Sequence, residues 1–383
     1  MSTRSRALRR ILMTVDTIGG VWTYAIDLAG ALCHSGTEIM LASMGRSPTE
    51  EQRHQAAAIP SLKLCESSFK LEWMEDPWED VSRAGDWLLE LEDHFQPDVV
   101  HLNGYTHAAL PWKSPVVVVA HSCVLSWWRA VKGERAPASW DRYQACVEAG
   151  LHAADLVIAP SRAIAEALRE IYGEPGRLEV IPNGRNPALF KPGDKGCFVF
   201  SAGRLWDDAK NIAALGDIAP GLPWPVYVAG DVTSGSKPAA ALRNLRSVGK
   251  LSSTDLAGWL ARAPIFASPA RYEPFGLTVL EAALSGCALV LGDIPTLREI
   301  WDGAAWFVRP EDRNGLRSAL NRLIAEPATR VELAARSRQR ALRYRLDEMS
   351  CAYMNAYSKL VFQRESVKEV IHANCDVLPL AGY

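Results

Sequence analysis

The sequence contains no C-x-x-C pair among its eight cysteines and no Cys/His spacing typical of a bound metal. It therefore does not read as a disulfide framework or a zinc module, and scattered thiols of this kind fit a reducing compartment. Charge of one sign is also scarce. A formal net charge of −2 gives no bulk attraction to nucleic acid or to an anionic membrane. Long apolar runs are missing: no stretch approaches the roughly 18 residues that a membrane-spanning helix needs. The run 11-ILMTV-15 is too short for the hydrophobic region of a secretory signal, and the basic 4-RSRALRR-10 before it reads as a solvated arm. A cytoplasmic chain without stable membrane insertion is the expectation. Neither G-x-G-x-x-G nor G-x-x-x-x-G-K-[ST] occurs, which removes the dinucleotide fingerprint and the P-loop.

What is present is a large apolar fraction, 48 % of 383 residues, enough for two cores of ordinary size. Short β-branched runs alternate with longer helical patterns. In the first half they are 10-RILMTV-15, 37-TEIMLAS-43, 98-DVVHLN-103, 115-PVVVVAH-121, 155-DLVIAPS-161 and 178-LEVIPN-183. In the second they are 198-FVFSAG-203, 225-PVYVAG-230, 245-LRSVGK-250, 264-PIFASP-269, 288-ALVLGD-293 and 305-AWFVRP-310. Apolar strands alternating with helices predict parallel sheets covered on both faces. The chain is thus α/β, with two doubly wound, Rossmann-like domains over residues 1–190 and 191–345. The Pro-, Gly- and Asn-rich 183-NGRNPALFKPGDKG-196 links them. Residues 346–383 are expected to form a helix returning to the first domain, followed by a loose tail. Ligands of such sheets bind outside the carboxyl ends of the strands, so one site is expected in the cleft between domains.

The stretch 273-EPFGLTVLE-281 carries the strongest chemistry. Pro274 and Gly276 interrupt regular structure after strand 264–269 and before a helix, so free backbone N–H groups face outward at a helix start and form an anion site. Glu273 and Glu281 bracket it, each able to accept from a different hydroxyl of one ligand. In isolation such a pair would read as a cap and a solvated side chain; the E-P-F-G context after a strand favours the ligand. In 202-AGRLWDDAKN-211, Arg204 and Lys210 can neutralise a diphosphate leaving group without a metal, although either could instead pair with Asp207 or Asp208. No D-x-D-like cluster stands beside them, so no metal ion and no cofactor are expected.

In the first domain, Gly19 and Gly20 of 16-DTIGGVWTY-24 permit close approach of backbone to ligand, a weak signal alone. His121 ends a strand and could reach the cleft, or be a satisfied core histidine. Trp127 and Trp128 follow in 122-SCVLSWW-128, where an extended segment would let one of the two pack inward. Ser161 and Asn183 sit at strand ends as contacts or caps. Trp22, Tyr24, Trp127 and Trp128 together give flat apolar faces suited to a sugar or another ring-bearing acceptor, with core packing as the alternative for each.

Taken in order, these motifs resemble the retaining glycosyltransferases of the GT-B fold, within glycosyltransferase family 4 (glycosyl transferases group 1). The resemblance spans about residues 10–345 and is strongest over 199–311. It implies a nucleotide-sugar donor, a UDP- or GDP-sugar acting as co-substrate, and a small-molecule, glycan or other hydroxyl acceptor. It implies that Arg204 and Lys210 hold the donor diphosphate and that Glu281 chelates the ribose hydroxyls. It further implies that Glu273 contacts the transferred sugar near its anomeric carbon. The backbone of Phe275, Gly276, Leu277 and Thr278 would cradle phosphate and sugar. Gly249, Lys250 and Leu251 would read the base, Gly19 and Gly20 would close over the phosphates, and His121 would lie beside the sugar. The segment Val21–Tyr24 departs from the commonest family pattern, which leaves the acceptor class open. A nucleotide-sugar epimerase or hydrolase of the same fold is the nearest alternative. A two-domain NAD-dependent dehydrogenase fits less well, because neither domain has the fingerprint.

Overall fold

The computed structural model describes residues 8–231, 233–234, 237–238 and 242–375. The basic arm up to residue 7 and the tail beyond residue 375, both singled out in the sequence, lie outside the described residues. Two parallel sheets form the frame. The first contains β1 (Arg10–Asp16), β2 (Glu38–Met44), β3 (Leu62–Glu66), β4 (Val99–Leu102), β5 (Val116–Val119), β6 (Leu156–Ala159) and β7 (Leu178–Val180). Its order is β3-β2-β1-β4-β5-β6-β7. The second sheet contains β8 (Val199–Ala202) and β9 (Val226–Ala229). Beyond a two-stranded ribbon of β10 (Thr233–Ser234) and β11 (Lys237–Pro238), it continues with β12 (Arg246–Ser247), β13 (Ile265–Ser268), β14 (Ala288–Gly292) and β15 (Trp306–Val308). Its order is β12-β9-β8-β13-β14-β15.

Both sheets reverse direction of growth beside their first strand, between β1 and β4 and between β8 and β13. A crevice opens at such a switch point because the two flanking crossovers leave on opposite faces. The loops after these four strands therefore meet, and they carry the sequence motifs.

Central strands such as β5 (VVVV) and β6 (LVIA) are buried at every position, as strands covered on both faces must be. One strand of the two parallel sheets was not evident in the sequence. The segment 62-LKLCE-66 alternates polar with apolar residues and forms an edge that is only partly covered, so it lacks the continuous apolar run of its neighbours. The expected strand over 245–250 contracts to two exposed residues on the other sheet's edge.

The linker does more than connect. Gly184 lets two backbones meet, since a Cβ there would lie 2.2 Å from the carbonyl oxygen of Arg345. Arg185 N donates to Tyr344 O at 3.1 Å, and Leu346 N donates to Arg185 O at 3.1 Å. The chain crosses between halves twice at this point. Phe190 already packs in the core of the second half. The last helix, Leu346–Cys375, lays Met349, Tyr353, Ala356, Tyr357 and Leu360 into the core beneath the first sheet. Among the described residues no helix is long and apolar enough to cross a membrane.

Candidate active site

A cleft of about 840 Å³ runs between the two halves, within the usual range for a small-ligand site. On the second-half wall, two loops are stitched together. Asn211, held at φ 53°, donates from Nδ2 to the carbonyls of Pro269 (2.8 Å) and Pro310 (2.9 Å). Arg271 N donates to Ala209 O at 2.8 Å. The result brings Lys210 Nζ to 2.5 Å from Glu273 Oε2, both side chains largely buried. Thr296 Oγ1 donates to the Glu273 carbonyl at 2.6 Å and fixes the loop from behind. Gly276, at φ 89°, opens the helix Leu277–Leu284 in a conformation that side chains rarely adopt. The helix start thereby faces the same space, and its free N–H groups favour an anion.

Arg204 is more exposed, at 42 %, and pairs with Asp207 Oδ2 at 2.8 Å. It also faces the glycine loop of the first half. A Cβ on Gly19 would lie 3.7 Å from Arg204 Nη1, and one on Gly20 would lie 3.5 Å from Leu277 Cδ1. That loop is braced by Asp16 Oδ1 accepting from Ile18 N (2.8 Å), by Gln52 Nε2 donating to Thr17 O (2.9 Å) and by Thr17 Oγ1 donating to Arg46 O (2.6 Å). The two glycines and the cation thus face each other across the cleft.

Glu281 has a partner that sequence reasoning missed. Arg185 Nε lies 2.9 Å from Glu281 Oε1, and the same guanidinium pairs with Asp27 from the helix Gly20–His34. Two carboxylates share one cation in a place where Arg185 and Glu281 side chains are each 5 % exposed. Burial pushes the Glu281 carboxyl up to about 7, against the lowering field of Arg185 and with that of Asp27 raising it further. Asp16, also unassigned from sequence, lines the cleft, and burial raises it to about 7 against the Ile18 hydrogen bond and the fields of Arg204 and Arg46.

These shifts fix a sign. An unfolded glutamate loses its proton near about 4.3, whereas folded Glu281 keeps it to about 7. The folded chain binds more protons across that window, so the contribution of Glu281 to stability falls as pH rises through it. Glu281→Gln, uncharged throughout, is expected to gain stability relative to wild type between about pH 5 and about pH 8. Denaturant midpoints of both proteins across that range check this; a difference independent of pH contradicts it.

Of the remaining sequence-derived residues, Lys250, Leu251, Phe275, Leu277, Thr278, Tyr24, His121, Trp127 and Trp128 all line the cleft. Trp22 does not. It is 4 % exposed in the core and its Nε1 donates to Gln55 Oε1 at 2.7 Å. Tyr24 borders the cleft but is 2 % exposed and packs in the same core, so neither presents the open face expected of an acceptor platform. Gly249 also lies off the cleft lining, its carbonyl accepting from Gly230 N at 2.9 Å. Trp127 and Trp128 stand on a helix, Val124–Lys132, not on an extended segment, and both reach the cleft. Trp127 Nε1 donates to Asp207 Oδ1 at 3.1 Å, so it touches the residue that holds Arg204. Ser161 caps the helix Arg162–Tyr172 and also donates to Pro274 O at 3.2 Å. Asn183 lines the cleft with a buried Oδ1 that has no partner among the described residues. Trp73, 38 % exposed and part of the lining, adds an aromatic face not foreseen.

Other contacts hold the halves together. Glu299 accepts from Arg162 N and Ala163 N at 2.9 Å each, placing its carboxylate at the positive end of a first-half helix. Lys132 pairs with Asp208 at 2.8 Å. No group of His, Cys, Asp and Glu able to hold a metal ion occurs among the described residues.

Comparison with known proteins bears on the whole arrangement. The family model for glycosyltransferase family 4 matches residues 18–189, and that for the glycosyl transferases group 1 matches residues 196–326. Glycogen synthase of Mycobacterium tuberculosis is 29 % identical over 86 % of this chain and 87 % of its own. Alpha-maltose-1-phosphate synthase of Mycolicibacterium smegmatis is 26 % identical over 68 % of this chain and 75 % of its own. In structure, sucrose-phosphate synthase of Thermosynechococcus elongatus superposes with a TM-score of 0.79 at 18 % identity, covering 92 % of this chain and 99 % of that one. The Anabaena HepE protein in complex with UDP-glucose gives 0.75 at 17 % identity, covering 92 % and 100 %. Both halves of the chain are matched and the two-sheet architecture is shared, so the protein belongs to the family 4 glycosyltransferases (glycosyl transferases group 1) of the GT-B fold.

Proposed function

We propose that the cleft takes a nucleoside-diphosphate sugar and transfers its hexose to a hydroxyl acceptor, without a metal ion and with retention of anomeric configuration. The observation that carries this is the pairing of Lys210 with Glu273 beside the helix start at Gly276, with Arg204 facing Gly19 and Gly20 opposite. A diphosphate seated there would meet two cations and a set of backbone N–H groups. As the C1–O bond lengthens, negative charge gathers on the departing phosphate and positive charge on the sugar. Lys210, Arg204 and the helix start stabilise the former, an effect realised mostly in the transition state. Glu273, drawn close by Lys210, sits where it can accept from sugar hydroxyls and face the developing oxocarbenium. We assign no covalent nucleophile; attack from the face of the leaving group accounts for retention.

Glu281 suits the ribose hydroxyls: Arg185 engages Oε1, and the residue lines the cleft. A UDP- or GDP-sugar is the proposed donor; the likeness to a protein crystallised with UDP-glucose supports the former. The acceptor is assigned to the first-half wall of Trp73, Trp127 and Trp128. Relatives named for glycogen and for inositol 3-phosphate differ in acceptor, so its class stays open.

The test is product analysis by NMR in the presence of EDTA. A new glycoside with the donor's anomeric configuration, formed at undiminished rate, is expected. A strict Mg²⁺ or Mn²⁺ requirement, an inverted product, or free or isomerised sugar alone would overturn the reading.

A further inference from the structure

We propose that Asn103, His101 and Tyr357 form a buried hydrogen-bond relay that holds His121 as a neutral imidazole protonated on Nε2, leaving Nδ1 to act only as an acceptor toward the ligand. The Asn103 amide is oriented by Thr14. Its backbone carbonyl can only accept, and Asn103 Nδ2 donates to it at 2.6 Å, which fixes the orientation of the amide. Asn103 N donates to Thr14 Oγ1 at 2.9 Å and anchors the residue a second time.

Asn103 Oδ1 then faces two imidazoles, with His121 Nε2 at 2.7 Å and His101 Nε2 at 3.1 Å. An amide oxygen cannot donate, so both ring nitrogens must carry the proton. The other nitrogen of His101, Nδ1, lies 2.5 Å from the Tyr357 hydroxyl. In a neutral ring it accepts from that hydroxyl. His101 and Tyr357 are each 0 % exposed.

Nothing around the rings supports an imidazolium. Their neighbours are Tyr24 from the helix Gly20–His34 and Tyr353 and Tyr357 from the last helix. All three phenols are pushed up by burial and stay neutral, and none of these neighbours is a carboxylate. Burial lowers His101 to about 4, against a raising hydrogen bond from Asn103. Burial also lowers His121 to about 3, with His101 lowering it further.

His121 lines the cleft. Among the described residues its Nδ1 has no hydrogen-bond partner, and it is not one of the buried unpartnered atoms, so the lone pair is open to the cleft. It can accept from a ligand hydroxyl and cannot donate to one. On the nucleotide-sugar reading above, that hydroxyl belongs to the transferred sugar. His101, Asn103 and Tyr357 are positioning residues: they act through His121, and the last helix reaches the site through Tyr357.

The full-length chain, labelled with ¹⁵N-histidine, tests this without substrate, so failure here is separate from failure of the transfer reading. The expected pattern for His121 is a protonated Nε2 and an unprotonated Nδ1, unchanged down to about pH 5. Asn103→Asp places an anion between the two rings and is expected to raise the His121 pKa and move the acid limb of the kcat profile upward. Tyr357→Phe removes one hydroxyl and is expected to lower kcat by about fivefold with donor KM unchanged. A proton on Nδ1, a His121 that titrates near about 6.5 in the wild type, or an acid limb unmoved in Asn103→Asp would overturn the proposal. If the aspartate variant does not fold, the wild-type labelling pattern alone decides.

Discussion

Lys210→Ala is expected to lower kcat/KM by about 10²–10³-fold, the range seen when one preorganised charge-stabilising donor is removed from an active site. Two effects combine. On the proposed reading, the ammonium that would meet the leaving diphosphate is lost, and Glu273, only 15 % exposed, would be left as an unpaired anion beside it. The like charge then opposes both binding and departure. Arg204→Ala should cost less, because Arg204 is 42 % exposed and water screens its field. Lys210→Arg should restore only part of the activity, since a planar fork does not replace a compact charge 2.5 Å from one carboxylate oxygen. Steady-state kinetics of the three variants, with thermal midpoints as a folding control, check this order. Folded Lys210→Ala within tenfold of wild type would remove Lys210 from the mechanism.

Glu273→Gln and Glu281→Ala are expected to fail differently. Glu273→Gln should lower kcat by about 10²-fold or more. Free UDP or GDP should bind it as tightly as wild type or tighter, because Lys210 no longer has a competing anion. At about pH 8, above the point at about 7 where Glu281 loses its proton, Glu281→Ala should weaken nucleotide binding itself by about 1.5–3 kcal/mol, the worth of a charged hydrogen bond. It also leaves Arg185 paired with Asp27, so the fold should survive. Calorimetric titration of nucleoside diphosphate into both variants separates the roles. Equal loss of nucleotide affinity in the two would show that the glutamates are wrongly assigned.

Much of this site was legible because its parts are local. Glu273, Pro274 and Gly276 declare a strand-to-helix turn by chemistry alone, and Arg204 and Lys210 sit in the loop after a strand. What was not legible depends on distant partners. Arg185 read as part of a linker, and only the fold sets it between Asp27 and Glu281. Asn103 directly follows β4, and its contacts with Thr14 follow from β4 lying beside β1, a neighbour relation that no local pattern encodes. Trp22 and Tyr24 both offered an aromatic face in sequence, yet both pack in the first-half core, and Tyr24 only borders the cleft. Trp127 was foreseen as an acceptor face, and its indole N–H is committed to Asp207. The two-sheet architecture was readable from apolar runs; β3 was missed because an edge strand need not be apolar throughout.

Release of nucleoside diphosphate from a panel of UDP-, GDP- and ADP-sugars, with and without cell extract, tests most directly whether this cleft cleaves a nucleotide-sugar. At least one donor should release its nucleotide with wild-type protein, faster when extract supplies an acceptor, and the release should collapse in Lys210→Ala. If no donor is cleaved by the folded wild-type chain, or if Lys210→Ala releases nucleotide as fast as wild type, the nucleotide-sugar site is not where Lys210, Glu273 and Glu281 place it.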